Sequence, residues 1–582
     1  MNYTKHVSTK ATPQSQPIPG TAQVKNSAGG FTFKVDDWAR LDRFLILGTE
    51  GGSYYASEKK LTVTNAEAVI RCIKADGLRT VARIAEVSHE GRAPKNDQAI
   101  FALAMATKLG DEPTRKAAAA AVSKVCRIGT HIFQYAEAIK AFGGWGRVTA
   151  RAVANWYNEQ PADKLALNLV KYANRNGWTH KDLLSKSHAG AGAPDAAHAA
   201  LYRYIVKDGD LSARAVTRKK GAKVFSEAAY PELSREALPR IIEGCEKVRE
   251  KGITSKQVAK LIGEYDLPRE VVPTEHLNSV EVWDALLHAG KFGMPLTALV
   301  RNLGKMSSIG LIAPLSDAAR FVVSKLKDEA AIKAARVHPI ALLIAQRIYA
   351  QGHGEKGSLK WTAVSPVVDA LDAAFYLGFK AVEPTNKRWL LALDISGSMG
   401  GGSVAGSPLT PREASAAMAL VTANVESDYH MVGYTSSCPG SWMPSGGASN
   451  RASRGMYGGG NNYAILPLDL SPRMRLKDVC AKVERLPMGG TDCALPVLYA
   501  LEKKIPVDVF VSYTDSETWA GQIHCSQALK MYRDQMGIPA KLIACGMVAN
   551  EYSVVDPNDA GSLDVVGFDT STPAVMAAFA QS

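Results

Sequence analysis

The chain of 582 residues carries eight cysteines, and no two of them form a CxxC pair. That removes the common zinc and dithiol templates. Most sit in apolar surroundings, as in Lys124-Val125-Cys126 and Ile543-Ala544-Cys545, which predicts buried free thiols in a reducing compartment. No apolar run approaches the roughly 18 residues of a membrane span. Residues 1–25 are polar and rich in Thr, Gln and Pro, so no export signal or membrane partner is expected, and the expected location is cytoplasmic. The catalytic templates are missing too: there is no GxxxxGK[ST] loop, no HExxH helix and no GxSxG elbow. His276, His338 and His353 lie at no metal-ligand spacing and read as structural. An enzyme is not expected.

What is present divides the chain in two. Hydrophobic residues make up 46%, enough for large cores, and the formal charge is +13. Residues 387–582 hold 15 Lys+Arg and 18 Asp+Glu; of the totals of 69 and 56, the first 386 residues therefore keep 54 and 38. A basic part of +16 precedes a slightly acidic part of −3. Such asymmetry favours a polyanionic partner for the first part, with a basic housekeeping enzyme as the alternative.

Residues 1–30 read as a flexible tail. From Asp36 to about Lys380 apolar residues recur at three- and four-residue steps, as in Val122, Val125, Ile132, Phe133, Ala136 and Ile139. Helices are predicted to begin near Asn65, Asp97, Glu112, Arg147, Lys164 and His180, and to cover 234–250, 255–265, 279–290, 295–303, 316–325 and 338–350, with no strand between them. Successive pairs of irregular length point to an α-solenoid of HEAT-like repeats over 31–385, with an ordinary helical bundle as the alternative. Over 386–582 the pattern changes. Strands at 389–394, 429–434, 507–513 and 540–546 alternate with helices at 411–425, 475–485, 493–503 and 522–535, the mark of a doubly wound α/β sheet. Residues 435–462 form a Gly/Ser/Asn-rich insert containing Arg451 and Arg454.

In this second part an apolar strand runs into Asp394-Ile395-Ser396-Gly397-Ser398, and a second, Val509–Thr514, runs into Asp515. Between them lies Gly489-Gly490-Thr491-Asp492. One carboxylate and two hydroxyls on a tight loop, joined by a third hydroxyl and a second carboxylate, make an all-oxygen donor set for a hard divalent cation. Asp394, Ser396, Ser398, Thr491 and Asp515 together resemble the metal-ion-dependent adhesion site of a von Willebrand factor A domain, with Mg²⁺ the expected ion. Hydrolytic Mg²⁺ sites cluster more carboxylates, so this set suits binding better than hydrolysis.

In the basic part the densest polar–aromatic cluster is Lys171 to His188. Lys171 and Arg175, four apart, are expected on one helix face, with Gly177 ending that helix and Thr179 capping the next. Lys181 and His188 then fall near the two ends of the second helix. Cations and an imidazole around one turn can engage phosphates and exposed bases; a solvated basic face with Trp178 as a core anchor is the bland reading. A second run contains Arg218 and Lys220 and could track a nucleic-acid backbone, although a lone charge run is more often plain surface. Arg301-Asn302-Leu303-Gly304-Lys305-Met306 has the form of a glycine-terminated helix end, for which capping is the favoured reading.

Long strings then carry a family resemblance: Asp42–Tyr55, Gly91-Arg92, Val125-Cys126-Arg127 with His131, Trp145-Gly146-Arg147, Trp156-Tyr157, Lys171–His188, Pro295–Met306, Leu371–Tyr376, Gly489–Cys493 and Pro539–Gly546. With the metal constellation they resemble the Ro ribonucleoprotein family, which joins a TROVE module to a von Willebrand A domain, over about Gln16 to Asp569. The resemblance implies a ring of HEAT-like repeats bridged by the A domain, and a monomeric protein. It implies Y RNAs bound on an outer basic surface at Lys171, Arg175 and His188, with Lys181 close by. It also implies that single-stranded 3′ ends of misfolded non-coding RNAs enter a central cavity, in RNA quality control and stress response. An exoribonuclease tethered through RNA would be a further partner, and DNA is not one. Two departures stand out: the insert at 435–462 is long for the family, and Gly190–Pro194 loosens the end of the basic cluster. Two other functions stay open, a Mg²⁺-dependent protein-binding A domain on a helical protein scaffold, and a nuclease at Asp394 and Asp515.

Overall fold

The structure, a computed structural model, describes residues 11–50, 52–211, 233–290, 293–354, 358–379, 382–404, 407–436, 465–486 and 488–582. Arg218, Lys220 and the insert from residue 437 to 462 lie outside the described residues.

Helices fill most of residues 37–377. Their starts follow local chemistry. The helix Glu112–Val125 opens on Asp111, whose carboxylate accepts the Thr114 N–H at 3.0 Å, with a proline in its first turn. The helix Ser255–Tyr265 opens on a reciprocal box between Thr254 and Gln257. The predicted starts at Asp97, Glu112, Arg147 and His180 coincide with the observed ones, whereas the helix expected from Asn65 already begins at Glu58. The array is also not free of strands. A hairpin of β3 (Asn174–Arg175) and β4 (Trp178–Thr179) separates the helices Ala162–Lys171 and His180–Ser187. Nor does the helix at 295–303 end at its glycine: it runs from Leu296 to Ser308 with Gly304 inside it.

The expectation of a flexible tail over residues 1–30 fails for residues 11–30, which lie against the sheet domain. Gln14 is fully buried. It donates to Asp492 Oδ1 at 2.7 Å and to Ile523 O at 2.9 Å. Asn26 donates to Thr518 O at 2.7 Å. Strand β1 (Val24–Lys25) pairs with β2 (Phe31–Lys34), which in turn pairs with β10 (Tyr552–Ser553) of the second domain.

That second domain is built on six strands. In sequence they are β5 (Trp389–Asp394), β6 (Tyr429–Tyr434), β7 (Ile465–Pro467), β8 (Val509–Thr514), β9 (Lys541–Gly546) and β11 (Ser562–Val566), and in space they run β11-β9-β8-β5-β6-β7. The first five in that order are parallel, and β7 closes one edge antiparallel, so the sheet is mixed rather than wholly parallel. Strand β5 is buried along its whole length, and its alternation sorts its side chains between two cores. Trp389, Leu391 and Leu393 join one core shared with the C-terminal half of the helical array, while Leu390 and Ala392 join the other. A third core lies within the N-terminal helices. Among the described residues no helix is long and apolar enough to cross a membrane, and the seven described cysteines are free and buried.

Both ends of the helical array meet on the sheet domain. From the first helix, Asp37–Leu47, the fully buried Arg43 forks onto both Asp564 carboxylate oxygens at 2.8 Å and donates to Asn550 O and Tyr552 O. Arg92 does the same to Asp569, with Nε at 2.9 Å from Oδ1. From the other end, His338, at the head of the helix Pro339–Gln351, brings its Nε2 to Phe568 O at 2.8 Å and to Arg92 O at 3.2 Å. Arg347 pairs with Glu413 at 2.8 Å. Residues nearly 250 apart in sequence thus touch each other, and the array closes upon itself over the sheet domain.

Arg92→Ala would leave Asp569, 6% exposed, in the seam without its cation. The expected loss is about 3–5 kcal/mol, since removing one partner of a buried pair strands the other charge. Lys116→Ala, in a pair about three-quarters exposed, should stay within about 0.5 kcal/mol. Urea unfolding of the two variants makes the comparison, and equal losses would contradict the clasp.

Candidate functional site

Strands β5 and β8 are adjacent, with Leu393 opposite Tyr513, so the residues that follow emerge side by side at their carboxyl ends. Open α/β sheets present ligands there. Asp394, Ser396, Ser398, Thr491 and Asp515 are all buried. Asp394 Oδ1 accepts the Ser396 N–H at 2.9 Å, and Oδ2 accepts the Thr514 hydroxyl at 2.7 Å. The hydroxyls of Ser396 and Ser398 are 3.1 Å apart, and Ser398 counters part of the rise in the Asp515 pKa. The loop bearing Thr491 is tied in through Gly397, whose N–H donates to Gly489 O at 3.0 Å.

Burial pushes both aspartates above the ordinary carboxylate range. For Asp394 the bonds from Ser396 and Thr514 oppose the rise; for Asp515 the neighbouring Asp394 and Glu517 add to it. Two buried carboxylates that repel each other, interleaved with hydroxyls, form a hard-oxygen set that a divalent cation would relieve. The five residues expected to hold a cation therefore fit that chemistry, and among the described residues no group of three or more His, Cys, Asp or Glu offers a rival metal cluster.

Several residues that shape this site went unremarked in the sequence. The guanidinium of Arg412 is buried beneath the loop and donates to Ile395 O at 2.6 Å and Ser396 O at 3.0 Å. It is a positioning residue, fixed by the Thr410–Glu413 box that starts its helix, Pro411–Val425. Tyr55 comes from the helical array. Burial together with Asp515 and Glu517 raises its pKa, and Ser398 opposes the rise. The same array loop packs on the metal loop: a Cβ at Gly402 would stand 3.0 Å from Gly52 O, and Ser403 donates to Glu50 O at 3.2 Å. Glu517 accepts the N–H of Ser27 at 2.7 Å and of Ala28 at 3.2 Å. The array and the docked N-terminal segment both border the loops that carry the five oxygen donors.

The basic cluster differs from its expected geometry. Lys171 is the last residue of its helix, and Arg175 lies in β3 of the hairpin, so the two do not share a helix face. Thr179 caps the next helix as expected, through a reciprocal box with Asp182. Arg175, Lys181 and His188 are exposed and Lys171 is half-buried. Lys181 pairs with Asp208 at 2.9 Å. Trp178 is the core anchor: it is buried, and its indole N–H donates to Glu137 at 2.8 Å. Lys186 Nζ stands 5.9 Å from its ring centroid.

Comparison with known proteins follows this division. The TROVE domain family model matches residues 24–387 and the Ro60 vWA domain model matches residues 388–580. A relative described as RNA-binding protein RO60, from Deinococcus radiodurans, is 40% identical over 562 residues, covering 96% of this chain and 95% of its own. One with the same description from Caenorhabditis elegans is 34% identical over 628 residues, covering 98% and 92%. The crystal structure of the Deinococcus radiodurans RO (RSR) protein superposes with a TM-score of 0.64 at 40% identity, covering 94% of this chain and 99% of that one.

Glu517 has its pKa pushed up to about 7 by burial, against the bonds from Ser27 and Ala28, from an ordinary value of 4.5. The folded state therefore holds this proton more tightly than the unfolded state. Its contribution is most favourable below the unfolded value and is lost as pH rises through about 7. With divalent cations chelated, Glu517→Gln should flatten the fall in urea midpoint between about pH 5 and 8. An unchanged slope would contradict the assignment.

Proposed function

The chain belongs to the Ro60 family, and from that premise we propose that it is an RNA-binding scaffold that holds RNA without cutting it. The observation that carries the reading is the exposed corner made by the hairpin 174–179 and the helix after it, where Arg175, Lys181 and His188 stand in a part of the chain with 54 basic and 38 acidic residues. Phosphate oxygens are recognised by such cations, and the resulting affinity falls steeply with salt because counterions are released. On this reading the corner takes small structured Y RNAs. Single-stranded 3′ ends of misfolded non-coding RNAs are held within the closed array, in RNA quality control. An exoribonuclease would join through the RNA.

The metal site, with Mg²⁺ as the ion, serves binding and not hydrolysis. Its five ligands leave the cation electrophilic towards an incoming oxygen. The second reading, a protein-binding A domain, draws on that same donor set, which suits capture of an acidic side chain from a partner.

Substituting Lys171, Arg175 and His188 together by Ala should weaken a Y-like hairpin RNA at least about tenfold and reduce the slope of log K against log salt by about 2. Filter binding at several salt concentrations, with unfolding midpoints as the control, measures both. Unchanged affinity, or copurification with an acidic protein and no RNA, would favour the second reading. Mg²⁺ should raise the thermal midpoint of the wild type and leave that of Asp394→Ala where it is. Labelled RNA kept with the pure protein and Mg²⁺ should stay full length.

A further inference from the structure

Gly304 sits within a helix, where glycine weakens the backbone, and the reason is Trp361. A Cβ at Gly304 would meet the indole ring at 2.8 Å. The indole is fixed from its other sides as well. Its N–H donates to Tyr349 O at 2.9 Å, and the two rings are stacked with centroids 6.3 Å apart and planes 15° apart. This rigid wall borders an open cavity of about 840 Å³ between the helices Val280–His288, Leu296–Ser308 and Pro339–Gln351. Ligand sites commonly span about 300–1,000 Å³.

The lining has a sharp division of chemistry. The floor is apolar and aromatic, and among the described residues no acidic side chain lines the cavity. Three cations do, Arg269, Arg301 and Lys305. Arg301 is exposed and makes no ion pair or hydrogen bond among the described residues. Lys305 uses one N–H on Asn278 Oδ1 at 2.7 Å and keeps two. Asn302 donates to Ala298 O at 2.7 Å, and its carbonyl oxygen accepts nothing among the described residues. A flat apolar wall, amide groups beside it and cations without acidic partners among the described residues describe a ligand with a planar ring, polar edges and a phosphate.

We propose that this cavity is a nucleotide pocket. The base lies on the apolar floor beside Trp361, the amides of Asn278 and Asn302 read its edge, and Arg301 with Lys305 holds the phosphate. Base–aromatic stacking with cation contacts to phosphate is how single nucleotides of unpaired strands are held. The proposal rests on the RNA-binding reading and deepens it, because the pocket is separate from the basic corner at 171–188. The nucleotide is either free or the unstacked end of a bound strand.

Calorimetric titration of the full chain with adenosine and uridine 5′-monophosphates tests it. Saturable binding is expected, weakened about tenfold in Arg301→Gln and lost in Ala345→Phe, which fills the floor. Arg301→Gln changes only an exposed side chain, so it stands as the test if the phenylalanine disturbs the fold. If RNA with a single-stranded 3′ end competes with the monophosphate and binds Ala345→Phe more weakly, the pocket takes a strand end. If monophosphate binds without such competition, it takes a free nucleotide; both outcomes support the pocket. No binding at millimolar monophosphate, binding indifferent to both variants, or occupation by decanoate alone would overturn it. Intact binding of a Y-like hairpin RNA in that case would leave the RNA-scaffold reading standing.

Discussion

The structure depends on buried arginines at one seam. Arg43 and Arg92 leave the N-terminal end of the helical array and fork onto Asp564 and Asp569 beside the last strand of the sheet domain. Each aspartate is largely shielded from water, and a guanidinium matches two carboxylate oxygens at once. Such pairs are costly to desolvate and costlier to break, so the seam favours the closed arrangement more than it adds stability. His338 arrives from the far end of the array and is buried neutral, its pKa lowered to about 4 mainly by desolvation. It brings the Arg92 carbonyl and the Phe568 carbonyl to one imidazole nitrogen. A helical array that would otherwise present two ends is thereby held as a closed body.

That closure explains where the chemistry sits. The sheet domain contributes a strand-end oxygen site, and the array lays the loop with Gly52 and Tyr55 against it, while the N-terminal segment reaches Glu517. The loops that carry the five oxygen donors are thus bounded by a second domain of the same chain. The electrostatics divide accordingly, with the cations on the array and the carboxylates gathered at the sheet.

Much of this was legible in the chain. The limits of β5, β6, β8 and β9 agree with the expected ones within two residues because β5 and β8 are buried on both faces and read as continuous apolar runs, whereas the helix expected from 522 begins at Cys525 and the short edge strands β7 and β11 carry no such run. Asp394 and Asp515 were legible because a carboxylate ending an apolar strand is unusual. The helical array showed in its periodicity. The misreadings have physical causes. Lys171 and Arg175 have the spacing of one helix face, and Gly177 has the look of its stop. Asn176 and Gly177 both have positive φ, 54° and 73°, and form the two-residue turn of a hairpin, a signal that an Asn-Gly pair carries. Gly304 has the form of a helix end because its partner, Trp361, lies 57 residues away and no local pattern announces it. The docking of residues 11–30 is invisible for the same reason, since Gln14 and Asn26 act through long-range hydrogen bonds that leave no period.

The central claim is that a clasped basic array grips RNA through its exposed cationic corner. Ultraviolet crosslinking of a structured RNA with a single-stranded 3′ end, followed by mass spectrometry of the attached peptides, tests it most directly. The account predicts crosslinked peptides from residues 171–188, lost at high salt. Crosslinks confined to residues 387–582, or none at low salt, would contradict it.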